Sequence, residues 1–194
     1  MTVNKTLAEF EDLMVSLARL TLGIPDTDNS AVRIPYGAGS ATGSAPTHNP
    51  TQSVCYVYVT PTDDGYGQQH HINFENGAED GDDMTEEDET TEEYAVVFSC
   101  YGQDAYDRAR QLRDGIYGAT ARELLRRNSI HPKTGIPAVV QTHDTINTQW
   151  VKRCDLTVTF YAYIRIEREN TVGNIEEVSI TFKAGNKTFP PTGN

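Results

Sequence analysis

The segment NGAEDGDDMTEEDETTEEY, residues 76 to 94, holds ten carboxylates and no basic residue, which makes it the first place in this chain to look for chemistry. A calcium loop needs oxygen ligands at alternating positions around a glycine, because one tight turn must wrap them about the ion. With Asn76 taken as the first ligand, Gly81 falls sixth and Glu87 twelfth, but Ala78 occupies a position that requires an oxygen. The template fits at two points and fails between them. A calcium- or ligand-binding acidic module therefore stands as an alternative beside a solvated acidic loop.

Other chemistries find less. His70 and His71 are adjacent, and in a strand they would point to opposite faces, so they cannot share one metal ion in the ordinary way. His131 and His143 have no His-x-x-His or Cys-x-x-Cys companion, which leaves only a composite zinc site assembled by the fold. Ser40 lies in GAGSATG, which lacks both the Gly-x-Ser-x-Gly spacing of a nucleophile elbow and the Gly-Lys-Ser/Thr ending of a phosphate loop. Cys55, Cys100 and Cys154 are odd in number, widely spaced and set in apolar or alternating runs, so they are expected to be reduced residues of a core or sheet. No catalytic residue, cofactor or metal ligand is assigned on these grounds. The chain is read as a non-enzyme, its enzymic rival being a cytoplasmic hydrolase whose site is assembled from distant residues.

Charge narrows the field further. The net charge is −12, and the eleven carboxylates from Glu75 to Glu93 account for nearly all of it. Ordinary nucleic-acid binding needs clustered Lys and Arg to neutralise phosphates, and an acidic total argues against it. The one basic concentration is Arg108, Arg110, Arg113, Arg122, Arg126 and Arg127. Asp104 with Arg108 and Arg110 with Asp114 are spaced i, i+4, which suits a self-paired helix face. The alternative is a basic face that meets an acidic face on another subunit.

These residues must be positioned by a fold. Thr6 and Glu9 form a capping-box pattern, after which Leu7, Phe10, Leu13, Met14, Leu17 and Leu20 make one helical stripe that stops at Gly23 and Pro25. Residues 31–36 and 53–60 read as strands, the second ended by Pro61, with a flexible loop over 37–52 between them. Residues 69–74 and 94–101 read as strands flanking an acidic excursion over 75–93, a long hairpin interruption. Residues 103–117 form a narrow helical stripe, and Thr120 with Glu123 is a second capping-box pattern opening a short helix.

Residues 137–141 are a further strand candidate. From Asp155 to Arg168 the pattern alternates without a break: Leu156, Val158, Phe160, Ala162, Ile164 and Ile166 point one way, Tyr161, Tyr163 and Arg165 the other. At ~3.3 Å per residue this run spans roughly 45 Å, longer than a usual strand, so one end is expected to project. Residues 175–182 return as its partner. The expected architecture is α+β: a mostly antiparallel sheet with an N-terminal helix and a two-helix insertion packed on one face, and a projecting long β-hairpin. One domain is expected over residues 1–183, with a mobile tail over 184–194. No apolar run approaches the ~20 residues of a membrane span, and a signal-peptide pattern is not seen, so folding in a cytoplasm is expected.

The run FSCYGQDAYDRARQLRDGIYGATARELLRRNSI, followed by TQWVKRCDLTVTFYAYIRIERENTVGNIEEVSI, resembles the neck or tail-terminator proteins of tailed bacteriophages. The resemblance rests on Tyr101-Gly102, Ala105 to Arg113, Leu124-Leu125, Trp150, Asp155 to Tyr163 and Ile175 to Val178, in that order, and covers residues 96–180. It implies a structural virion subunit assembled in the host cytoplasm. Such a subunit forms a homo-oligomeric ring, usually a hexamer, that caps the tail tube and joins it to the head connector or adaptor, with a sheath protein as a further partner. DNA would pass through without specific binding, and no membrane is involved. A head-completion connector of the same neck is the nearest alternative. With a ring in view, Arg108, Arg110, Arg113, Tyr161, Tyr163 and Arg165 become candidate subunit-interface residues. Glu79, Asp80, Asp82, Asp83, Glu86, Glu87, Asp88 and Glu89 become a candidate lumen surface that repels DNA.

Overall fold

A computed structural model describes residues 6–35, 52–62, 70–75, 84–146, 148–172, 182–184 and 187–189. The first helix, α1 (Leu7–Leu22), begins where the capping box puts it. The Glu9 amide donates to Thr6 Oγ1 at 3.3 Å, and the Thr6 amide donates to the Glu9 carboxylate at 2.8 Å. The helix ends at Gly23, whose φ of 67° is the left-handed conformation that lets the chain turn away without a Cβ penalty. Phe10, Met14, Leu17 and Ala18 form its buried stripe, while Leu7 and Leu20, at either end, stay exposed.

The chain then lays down β1 (Val32–Arg33), β2 (Val54–Thr62), β3 (His70–Glu75) and β4 (Met84–Tyr101). β1 pairs with β2 in parallel, and β2 pairs with β4 in antiparallel register from Val54 opposite Tyr101 to Thr62 opposite Glu93. β3 also pairs with β4. Pro61 does not end β2: it sits opposite Tyr94, and Thr62 Oγ1 donates to Glu93 Oε1 at 2.8 Å one residue beyond. Among the described residues β1 engages only the start of β2, so the amide that Pro61 lacks faces no neighbouring strand on that side.

β4 departs most from the sequence pattern. It starts at Met84 rather than Tyr94, so the second half of the acidic segment is strand and not loop. Thr90 and Tyr94 share the period-2 face of Val96, Phe98 and Cys100, and all are buried. Asp88 is itself only 3% exposed. A row of carboxylates hid a strand because charge masks the alternation that reveals one.

After a sharp turn at Gly102, with φ at 108°, come α2 (Ala105–Gly115) and α3 (Ala119–Arg127). The second capping box is not formed: α3 takes Gly118 as its N-cap, two residues before the expected Thr120, and Glu123 is engaged elsewhere. Its carboxylate accepts from Arg126 Nε at 3.0 Å and Arg127 Nε at 2.7 Å, which holds its pKa down at about 2. Next follow β5 (Ile130–Pro132), β6 (Val140–Ile146) and β7 (Gln149–Val172). The short β5 carries no alternation long enough to be read in the sequence, and β6 begins later than the candidate at 137–141.

Within the sheet the order is β1-β2-β4-β7-β5, with β6 also paired to β7. β7 thus has β4 on one side, and on the other both β5, with Ile130 opposite Ala162, and β6, with Val140 opposite Asp155. The architecture is α+β, a mostly antiparallel mixed sheet with an N-terminal helix. The inward rows of β2, β4 and β7 carry Val57, Phe98, Leu156, Val158 and Phe160 against Phe10 and Met14 of α1, Leu112 of α2 and Leu125 of α3. Phe10 stacks on Tyr94 with ring centroids 4.3 Å apart. Burial of each such side chain is worth ~1.5–3 kcal/mol, so this core is the main source of stability.

The chain forms two compact units, Met1–His71 with Glu89–Ile166 and Ile72–Asp88 with Glu167–Asn194. The helices and the core just described belong to the first. The second contains a two-stranded antiparallel sheet of β8 (Phe182–Ala184) and β9 (Lys187–Phe189), of which Ala184 and β9 fall in the segment that composition reads as a mobile tail. Most of the expected loop over 37–52, and of the return strand over 175–182, lies outside the described residues.

Candidate functional site

With the helices on one face of the sheet, the alternate residues of each strand face the other way. There Val54, Tyr56, Tyr101 and Val151 form a second, smaller buried cluster. Tyr56 meets Tyr101 edge to face at 5.6 Å between centroids. Tyr101 Oη donates to Asp144 Oδ2 at 3.0 Å, and Arg153 Nε donates to Asp155 Oδ1 at 2.8 Å. The Arg153 guanidinium also lies 3.6 Å from Asp144 and 5.9 Å from the Tyr101 ring centroid. Burial pushes the Tyr101 hydroxyl well above its usual pKa, partly opposed by Arg153 and reinforced by Asp144.

Further along the same face, Lys133 Nζ reaches Glu93 Oε2 at 3.0 Å and sits 5.5 Å from the Tyr161 ring centroid. Tyr161 and Glu93 together raise the Lys133 pKa. Arg165 Nε approaches Glu89 Oε1 at 3.9 Å. Each of these three cations faces a carboxylate, so this face pairs its charges instead of offering a field to phosphates. Among the described residues, no group of three His, Cys, Asp or Glu side chains is placed to hold a metal ion.

The candidate interface residues separate into two groups. Tyr161, Tyr163 and Arg165 lie on the helix-free face, Tyr163 being 40% exposed. Arg108, Arg110 and Arg113 lie on α2, on the other side of the sheet. Arg110 is exposed, with Nε 3.8 Å from Asp114, as the i, i+4 spacing requires. The companion pair is not made: Asp104 accepts a hydrogen bond from Ser53 Oγ instead of engaging Arg108. Arg113 is half-buried and donates from Nε and Nη2 to the Ile136 carbonyl at 3.4 and 3.3 Å, which ties α2 to the segment after β5.

Of the candidate lumen carboxylates, Glu79, Asp80, Asp82 and Asp83 lie outside the described residues, and Glu86 and Glu87 are placed in β4. Asp88 is buried and Glu89 faces Arg165, so neither is free surface charge. Two features escaped the sequence reading. One is the exposure of Trp150, 78%, and of Val140, 61%, on the β6–β7 hairpin. The other is a cleft of about 460 Å³ bordered by Ala119, Arg122, Arg126, Leu125 and His131. A lone Trp in the polar setting of TQWVK was a signal for the first; nothing in the sequence marked the second.

An α+β chain with self-paired charges and exposed aromatics on its sheet has the makings of a protein that works through its surfaces. Comparison with protein families supplies the particular one: residues 12–186 match the family described as phage neck terminator protein. The chain belongs to that family, a structural component of the bacteriophage neck in tail assembly, which works with other head and tail proteins. A search of curated proteins finds no match.

Proposed function

We infer that this chain is the repeating subunit of a ring, a hexamer, that caps the tail tube and joins it to the head connector, leaving a channel for DNA. It acts by assembly and not by catalysis, at the neck of a virion whose parts are put together in the host cytoplasm. The observation that carries this reading is the family match, which takes in nearly the whole sheet-and-helix body. The charge distribution supports it. The carboxylates around 79–87 are the ones left for a channel surface once Asp88 and Glu89 are set aside, and such a surface repels phosphates. Arg110 and Tyr163, exposed on opposite faces of the sheet, are the best placed of the candidate residues to meet neighbouring subunits.

Size-exclusion chromatography and negative-stain microscopy of the purified protein, alone and with tail-tube protein, test the reading. Rings with a central hole are the expected result. A chain that stays monomeric in the presence of tail-tube protein would overturn it.

A further inference from the structure

The inward face of β7 is buried from Cys154 to Ala162 and loses its cover toward the start of the strand. Leu156 and Cys154 are fully buried, whereas Lys152 and Trp150, on the same face two and four residues before Cys154, are exposed. Trp150 pairs in register with Thr145 and Lys152 with His143, so the indole rises from a hydrogen-bonded hairpin and not from a loose loop. A large side chain of this kind typically removes ~150–250 Å² from water when it finds a site, and Trp is among the commonest anchors of protein interfaces.

The same chain carries a receptacle. The cleft beside α3 and β5 has Leu125 and Ile130 toward its base, Ala119 leaving room at one side, and Arg122 and Arg126 at its rim. Its volume of about 460 Å³ falls within the range of ~300–1,000 Å³ usual for occupied clefts. Guanidinium groups favour the face of an indole. Glu123 is already bound by Arg126 and Arg127, so the rim is cationic, and the electron-rich face of an indole suits it. A large exposed aromatic and an apolar-based cleft with a guanidinium rim thus lie at different places on one subunit. A contact between unlike patches of identical subunits repeats head to tail, which is how a ring closes.

We propose that Trp150 of one subunit seats in the cleft between α3 and β5 of the next, with its indole face against the neighbour's Arg122. The proposal rests on the ring reading above and names the contact that builds it.

Because Trp150 is the only Trp in the chain, its emission reports the contact directly. In wild-type protein the emission should shift to the blue as concentration drives assembly. W150A should raise the concentration for half-assembly ~30-fold or more, as loss of a buried aromatic anchor does, with an unchanged circular dichroism spectrum. A119F, which fills the cleft, should do the same while leaving Trp150 exposed. Mixing W150A with A119F leaves one intact knob and one intact cleft, so the pair should form heterodimers but no rings.

Rings from W150A at wild-type concentrations, or rings in which the Trp150 emission stays that of an exposed indole, would overturn this contact and leave the ring reading standing. A blue shift seen only when tail-tube protein is added would assign the Trp to that partner and overturn the proposal. A wild-type chain that never assembles would overturn both.

Discussion

Cys55 and Cys100 face each other as register partners on β2 and β4, both fully buried, and neither is in a disulfide. The hydrogen bond to Cys100 and burial together push the Cys55 thiol well above its ordinary pKa, and burial raises that of Cys154. Only a thiolate attacks a disulfide reagent. The native protein should therefore leave all three thiols unlabelled by an aromatic disulfide at about pH 8, and release all three in denaturant. Rapid labelling of the folded chain would show that the sheet opens far more often than its packing implies.

Phe160 is fully buried at the centre of the main core. Phe160→Ala removes a ring that helices and sheet both pack against, and should cost ~3–5 kcal/mol in a denaturant titration. A loss under ~1 kcal/mol would mean that the core collapses onto the gap or is not packed as described.

Gly102 turns β4 into α2 at a φ of 108°, and a Cβ there would come 2.8 Å from Ser53 Oγ and 3.0 Å from Ser53 Cα. Gly102→Ala adds backbone strain to that clash and should cost ~1–3 kcal/mol, with the hydrogen bond from Ser53 to Asp104 disturbed as well. Equal melting temperatures for the two proteins would contradict this.

The two arginines on α2 should part company under charge reversal. Arg110→Glu replaces an exposed, screened pair with Asp114 and should leave the melting temperature within a degree or two. Arg113→Glu removes both donors to the Ile136 carbonyl and should lower it clearly. If Arg110 lies in a subunit contact, its reversal weakens assembly at constant fold. Matched melting temperatures for the two variants would show that Arg113 has no tethering role.

Alkaline pH should unfold the protein through its tyrosines. Burial raises the pKa of Tyr94 and of Tyr101 above the usual value near 10, with Glu92 and Asp144 adding to the rise. The folded state thus keeps protons that the unfolded chain gives up. This stabilisation is complete below about pH 10 and is lost as pH climbs toward the folded values. Melting temperature should hold up to about pH 10 and fall as the pH rises beyond it, less steeply in Tyr101→Phe; a flat profile above about pH 10 would rule the tyrosines out.

The sequence foretold elements wherever one local rule was strong. The capping box placed Thr6, and the unbroken alternation from Asp155 marked the buried row of β7. It failed where tertiary pairing overrode local appearance. Met84 to Glu93 is strand because β2 and β3 supply partners, a fact its carboxylates conceal. Glu123 was expected to cap α3, but two arginines downstream offer it stronger bonds than an amide would. Arg165 and Glu89, assigned to different surfaces from sequence, lie side by side because β4 and β7 are neighbours 76 positions apart in number. The Trp150 knob and its cleft belong to no periodic pattern at all.

The place of β7 between β4 and the β5–β6 edge bears on how the chain is made. Its first residue is Gln149, so at ~5–20 residues per second the ribosome releases α1, β2, β4 and α2 seconds before their central strand exists. Until then Phe98 and Leu112 lack the rows of Leu156 to Phe160 that cover them. Non-local pairing of this kind is slow to form. The nascent chain must be shielded through that interval, since its open core offers apolar surface to any neighbouring chain.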